Sequence, residues 1–183
     1  GALGAAGLAG GLLMAAWGGP RRKIHGVLLG TALSFLLGDF LFAIGRGMAV
    51  WVIAAAASAV FIPILLGSRN AIWQAKVPPA VQGRVFATDS MLRLSLNPAG
   101  YLLAGVLADR LLEPAMAVDG ALAPIFGPLV GTGPGAGMAL MFVGTATLGS
   151  LTSLLAYLFP AVRHVERDLP DFDTGQEEEP QIT

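Results

Sequence analysis

Long uncharged stretches broken by short clusters of charge organise this chain. Residues Gly1–Trp17, Met48–Ser68 and Gly120–Val162 contain no Asp, Glu, Lys or Arg, and Ile24–Ile44 contains one, Asp39. Apolar residues run continuously through these stretches and lack the in-and-out alternation, over about ten residues, of a barrel strand. Crossing about 30 Å of hydrocarbon takes about 20 helical residues. The pattern predicts five membrane helices, at residues 1–17 (read as shortened at its front), 24–45, 48–70, 85–111 and 136–160. The expected fold class is all-α: a polytopic transmembrane helix bundle over residues 1–162, followed by an acidic tail, 163–183, that reads as disordered.

One apolar stretch does not fit a span. Glu113–Gly135 (EPAMAVDGALAPIFGPLVGTGPG) carries four prolines after Glu113. Proline removes a backbone donor and kinks a helix, and backbone exposed to lipid must satisfy its own hydrogen bonds. The segment therefore reads as an outer loop, at the interface or folded against the bundle, with a re-entrant hairpin at 121–134 as the alternative.

Composition strengthens the membrane reading. The chain is 55% hydrophobic and 13% charged, whereas a soluble domain has about 25% charged residues to wet its surface. The net charge of −1 hides an uneven distribution: from Arg163 onward two basic residues face seven acids, and the body before it holds nine of the eleven Lys and Arg. Basic residues favour the cytoplasmic side of membrane proteins. One side of the predicted bundle holds Arg21, Arg22, Lys23, Arg69, Lys76, Arg84, Arg163 and Arg167, and the other Arg46 and Arg110. The first side is expected to be cytoplasmic, and with it the C-terminus. Trp17 and Trp73 then lie at the inner headgroup level and Trp51 at the outer, where indoles prefer to sit.

Small residues recur every fourth position: Gly7, Gly11 and Ala15; Gly26, Gly30, Ser34 and Gly38; Ala55, Ala59, Pro63 and Gly67; Gly100, Ala104 and Ala108. In lipid such stripes let helices approach closely, and four of them point to a tight bundle. Polar residues within spans mark function by default, because a mid-membrane charge costs about 3 kcal/mol on insertion scales. Asp39 falls on the face of Leu28, Ala32, Phe35 and Phe42, nearly opposite the glycine stripe. It lies about 7–8 Å of helix rise from the outer end of its span. It reads either as a protonatable carboxyl coupled to transport or as an outer-surface acid, hydrated or paired with Arg46 on nearly the same face. Asn97–Pro98 reads as a hinge or pathway-lining group, or as packing glue. Asp89 and Arg93, four apart, can pair, as a helix-end anchor or a gating charge. Arg69, Asn70 and Gln74 read as headgroup contacts.

The chemistry of most enzyme classes is missing. With no cysteine there is no disulfide, thiol nucleophile or thiolate metal site. His25 and His164 stand at span edges without a metal-ligand companion. Gly131–Gly137 (GTGPGAG) follows no strand and precedes no lysine, so it is not read as a phosphate loop. The basic cluster at 21–23 suits anionic lipid headgroups rather than nucleic acid. No cofactor and no enzymatic activity are expected.

The loops resemble those of a known family. Gly18-Gly19-Pro20-Arg21-Arg22-Lys23 resembles the tail of the short basic loop of major facilitator superfamily transporters, although Ala16-Trp17-Gly18 stands where that loop carries an acid. Trp73-Gln74-Ala75-Lys76-Val77-Pro78-Pro79, followed by Gln82-Gly83-Arg84-Val85-Phe86, is similar to the loop between helices ten and eleven of the macrolide-efflux-like, drug:proton antiporter branch. Gly105-Val106-Leu107-Ala108-Asp109 and Gly131–Gly137 are similar to the end of helix eleven and the outer loop after it. The resemblance implies helices eight to twelve of a C-terminal half, with the N-terminal half as the missing partner. It implies a proton-coupled exporter of amphipathic small molecules that works by alternating access in the cell's inner (plasma) membrane. Asn97, Tyr101 and Phe61 then become pathway candidates, Asp39 becomes peripheral, and Arg21, Arg22, Lys23, Arg84, Asp89 and Arg93 are the loop and gating candidates. The alternatives are a membrane subunit of an ATP-driven transporter, docking its ATPase through 71–84, and a non-transporting scaffold or truncated remnant.

Overall fold

A helix occupies each predicted span in the computed structural model, which describes residues 2–172. In chain order the helices are α1 (Ala2–Trp17), α2 (Lys23–Ile44), α3 (Met48–Lys76), α4 (Pro79–Ala115), α5 (Ala123–Val130), α6 (Ala136–Leu158), α7 (Pro160–Arg163) and α8 (Val165–Asp168). No strand occurs among the described residues, and the fold is an all-α polytopic helix bundle. Among the described residues four helices, α2, α3, α4 and α6, are long and apolar enough to cross a membrane. The fifth expected span, α1, has 16 residues, about 24 Å of helix, and falls short of that length.

The helices run past the limits that hydrophobicity set. Residues 71–84, expected as a loop, belong almost wholly to α3 and α4, and only Val77 and Pro78 separate the two. A helix keeps its backbone bonds after it leaves hydrocarbon, so the end of an apolar run does not end it. What ends α3 is proline. Pro78 takes an extended ψ of 136° and Pro79 starts α4, at a position where a missing N–H costs nothing. The Gln82 side chain closes the corner by donating to the carbonyls of Gln74 (3.1 Å) and Val77 (2.9 Å).

α3 lies between α1 and α2, and α2 lies between α3 and α6. On one side of α2 the predicted stripe meets α3. A Cβ at Gly26 would overlap Ser68, one at Gly38 would come within 2.6 Å of Ser58 Cβ, and one at Gly30 would touch Leu65 at 3.4 Å. Ser34 and Ser58 hydroxyls hydrogen-bond at 3.0 Å within the same seam. On the opposite side α6 donates from Ser150 to Ala32 O (3.2 Å) and from Ser153 to Leu28 O (2.6 Å), and the Phe35 ring fills the space a side chain at Gly149 would need. Hydroxyl-to-carbonyl bonds of this kind hold helices together where lipid gives little hydrophobic drive. On α1 the contact is rotated from the expected face. Gly7 and Gly11 have open space, whereas a Cβ at Gly10 would lie 2.5 Å from Val60 O, and Met14 packs on Gly67. Four-residue spacing identified a stripe but could not say which of several small residues in α1 faces a partner.

Two five-residue π turns interrupt the long helices, Phe35–Asp39 in α2 and Ala108–Leu112 in α4. The second carries α4 to Ala115, beyond the expected end at 111, and into the proline-rich segment. There Leu122 N–H bonds Ala115 O (2.9 Å) and Gly133 N–H bonds Met116 O (3.0 Å), with Met116 fully buried. α5, at eight residues, is about 12 Å long and cannot cross a membrane. Gly131, Gly133 and Gly135 take φ values of 87°, 91° and 88°, which a Cβ would strain, and the chain turns there into α6. The Glu113 carboxylate caps that helix, accepting from the N–H groups of Gly135 and Gly137, where the helix dipole favours an anion.

Residues 163–172, expected as part of the disordered tail, are placed against the bundle. α7 and α8 are helical, and Leu169–Phe172 lie beside α3, with Phe172 N–H bonding Ala75 O at 2.8 Å. Residues 173–183, the rest of that expectation, lie outside the described residues.

The packing of α1 makes a discriminating prediction. Gly10→Val forces a side chain into the α3 backbone and lowers detergent-phase stability by about 1–3 kcal/mol, whereas Gly7→Val changes it by less than about 0.5 kcal/mol. Thermal or denaturant melting of the purified variants measures both.

Candidate functional site

Polar residues climb one side of α4, the least covered helix. No residue of Pro79–Leu107 is buried, and 91–103 are exposed around the whole circumference. Asp89, Arg93, Asn97 and Tyr101 stand four residues apart. At about 100° per residue each step turns the ladder by about 40°, so the four share a sector of about 120° and span about 18 Å of rise. Gly100 and Ala104 fall in the same sector, which leaves space beside Asn97 and Tyr101. Met91, Leu92, Leu102 and Val106 lie outside it. All four are exposed.

The base of the ladder is held in place by charge. Asp89 accepts from Arg69 on α3 at 3.4 Å and from Arg93 on its own helix. Two guanidinium groups share one carboxylate, and Arg84 lines the same crevice of about 340 Å³ with Trp73, Thr88 and Leu92, so the site carries excess positive charge. The Asp89 and Arg69 side chains are about a quarter exposed. Pairs in such positions contribute about 1 kcal/mol or less, which suits a contact that forms and breaks. Trp73 and Phe86 meet one turn nearer the corner, with ring centroids 6.2 Å apart. Arg69 and Asp89, and Trp73 and Phe86, share a midpoint near residue 79, just past the Val77–Pro78 corner, as successive contacts across a helical corner must. That symmetry is the sequence signal that assigns Arg69 to the cluster instead of to headgroups alone.

Asp39 has a different partner from the one its spacing offered. Thr145 on α6 donates to Asp39 Oδ2 at 3.0 Å, and no ion pair joins Asp39 to Arg46 among the described residues. The reason is local: α2 ends at Ile44 and Gly45 turns extended, with ψ of 126°, so exposed Arg46 leaves the helical face that carries Asp39. One turn further along α2, Phe42 and Phe142 pack at 5.6 Å beside a crevice of about 400 Å³ that Trp51 and Met138 also line. The π turn ending at Asp39 lies in the same stretch, and such turns are frequent at functional positions.

The remaining candidates are dispersed. Phe61 lines a crevice of about 200 Å³ between the first three helices with Trp17, His25 and Leu33, away from the exposed ladder on α4. Arg21 and Arg22 are exposed, and Lys23 donates from Nζ to Gly18 O at 2.8 Å. No group of three or more His, Cys, Asp or Glu is arranged to hold a metal among the described residues.

The Asp39–Thr145 bond predicts a coupling. In a double-mutant cycle measured by detergent-phase unfolding, Asp39→Ala and Thr145→Val couple by about 1 kcal/mol. Asp39→Ala and Arg46→Gln show no coupling beyond about 0.3 kcal/mol.

Over 109 residues, 57% of this chain, the sequence is 34% identical to macrolide efflux protein A of Streptococcus pyogenes, with the same figures for macrolide efflux protein A of the serotype M6 strain ATCC BAA-946 / MGAS10394. No family model and no solved structure matches. The matched region is 26% of each relative, so this chain is similar to about a quarter of a macrolide efflux protein.

Proposed function

We propose that this chain is part of a secondary active membrane transporter, a proton-coupled exporter of amphipathic small molecules that works by alternating access. One observation carries the reading: the Asp89–Arg93–Asn97–Tyr101 ladder stands on a membrane-length helix whose residues 91–103 are all exposed among the described residues. Lipid against Arg93 and Asn97 would cost several kcal/mol. A water-filled cavity, closed on its far side by protein beyond this chain, removes that cost and makes the ladder one wall of a pathway. Asn97 offers an amide and Tyr101 a ring with a hydroxyl, a pairing suited to a ligand with an apolar body and a polar group. The similarity to part of an efflux protein supports the same assignment.

In this reading the end bearing Arg21, Arg22 and Lys23 faces the cytoplasm, in the inner membrane of the cell. Asp89, bonded to Arg69 and Arg93, is the inner gate. When the two halves of the transporter rock about a midplane site, α4 swings relative to α3 and the weak Arg69–Asp89 pair opens. Asp39, on the α2–α6 seam, holds the bundle together. The near-continuous α3–α4 hairpin leaves residues 71–84 no separate helix to dock an ATPase, which favours ion-driven exchange.

Vesicles bearing the full-length protein are expected to extrude a fluorescent amphiphile only while a proton gradient is present. Asp89→Asn lowers the rate about fivefold, equivalent to about 1 kcal/mol of lost gate pairing. Asn97→Ala changes which amphiphiles are exported while expression is kept. Efflux that persists after the gradient is collapsed contradicts proton coupling.

A further inference from the structure

We propose that residues Arg163–Phe172 form a clasp that ties together the ends of α2, α3 and α6 on the side of the basic cluster. Three sets of contacts, on three helices, point to it. At α2, the N-cap residue Arg22 supplies no side-chain bond to the first turn, which leaves backbone donors in need of acceptors. Glu166 provides them from 143 positions away: its carboxylate accepts from Lys23 N–H (2.9 Å) and Ile24 N–H (3.2 Å). An anion there is favoured by the helix dipole.

At α3, Lys76 is the last residue of the helix and its side chain is only 11% exposed. Its ammonium donates to Glu166 O (2.6 Å) and to Leu169 O, and lies 2.7 Å from Asp171 Oδ1. Glu166 thus holds α2 with its carboxylate and α3 with its carbonyl. Phe172 N–H adds a bond to Ala75 O at 2.8 Å, satisfying a carbonyl in the last turn of α3. At α6, the clasp grows directly from the helix end, where the Tyr157 ring stacks on His25 of α2 (centroids 5.6 Å, 14° between planes) and its hydroxyl lies 3.1 Å from His25 Nδ1. None of these contacts reaches α4. The clasp therefore makes α2, α3 and α6 one mechanical unit, to which α4 is joined at this end by the Val77–Pro78 corner with its Gln82 and Trp73–Phe86 contacts and by the Arg69–Asp89 pair.

The functional consequence rests on the transporter reading: three clasped helices swing together, and α4 moves against them. The sequence has no cysteine of its own, so a disulfide reports the clasp cleanly. In native membranes, full-length protein carrying Ala75→Cys and Phe172→Cys, with any cysteine elsewhere replaced, cross-links rapidly under mild oxidation. Adding Glu166→Ala slows cross-linking about tenfold, as does Lys76→Gln, because each removes charge-assisted bonds. Arg167→Ala, whose side chain reaches only its neighbour Asp168 among the described residues, leaves the rate unchanged. Absence of the cross-link, or a rate indifferent to Glu166, overturns the clasp. Glu166→Ala alone lowers efflux and the disulfide restores it; a disulfide that forms but restores nothing overturns the link to transport. Parent protein that exports no amphiphile overturns the transporter reading, and the cross-linking rates still decide the clasp.

Discussion

A side chain at Gly26 or Gly38 would occupy space already held by Ser68 or Ser58, and the placing of the other helices follows from that contact. Lipid tails are as apolar as leucine, so two helices gain little by hiding hydrocarbon from one another. They gain by close approach, and by giving hydroxyls a carbonyl to bond. α2 does both at once. Its glycine side lies against α3, and its opposite side receives Ser150 and Ser153 from α6. With α2 fixed between two neighbours, α3 has a free side for α1, and Gly10 sets how near α1 comes.

α4 is built on the opposite principle. Where α2 has five buried residues between Lys23 and Ser34, the whole of Pro79–Leu107 has none. Its attachments are at its ends: Asp89 to Arg69 near one, and Glu113 to the N–H groups at the start of α6 near the other. The first is a pair of partly exposed charges, weak by nature. The second is a carboxylate on backbone donors at a helix start, and Gly137 lies so close to the Glu113 backbone that no side chain would fit. At one end weak charge pairs lie beside the covalent Val77–Pro78 corner to α3, and at the other a carboxylate caps a neighbouring helix.

Much of the bundle was legible from residue type and spacing, because period and hydrophobicity are local. The two faces of α2 separate in the structure much as 100° steps separate them, and the proline-rich stretch after Glu113 forms no span. Helix limits were less legible. Hydrophobicity stops at the membrane edge, while backbone bonding continued through 71–84 until Pro78 interrupted it. The partner of Asp39 was illegible for a different reason: Arg46 lies seven residues away in the sequence, but Gly45 takes it off the helix, and Thr145 is brought in from 106 positions away by a packing that no local pattern encodes. Glu166 is the same case over a longer interval.

The account stands on the ladder of α4 facing water instead of lipid. Single cysteines along residues 89–104 of the full-length protein in membranes, treated with a hydrophilic thiol reagent, measure this directly. Labelling that peaks at Arg93, Asn97, Gly100 and Ala104, and falls at Leu92, Leu102 and Leu103, is the predicted helical stripe. Uniform protection along the helix, or labelling that ignores the four-residue spacing, would contradict it.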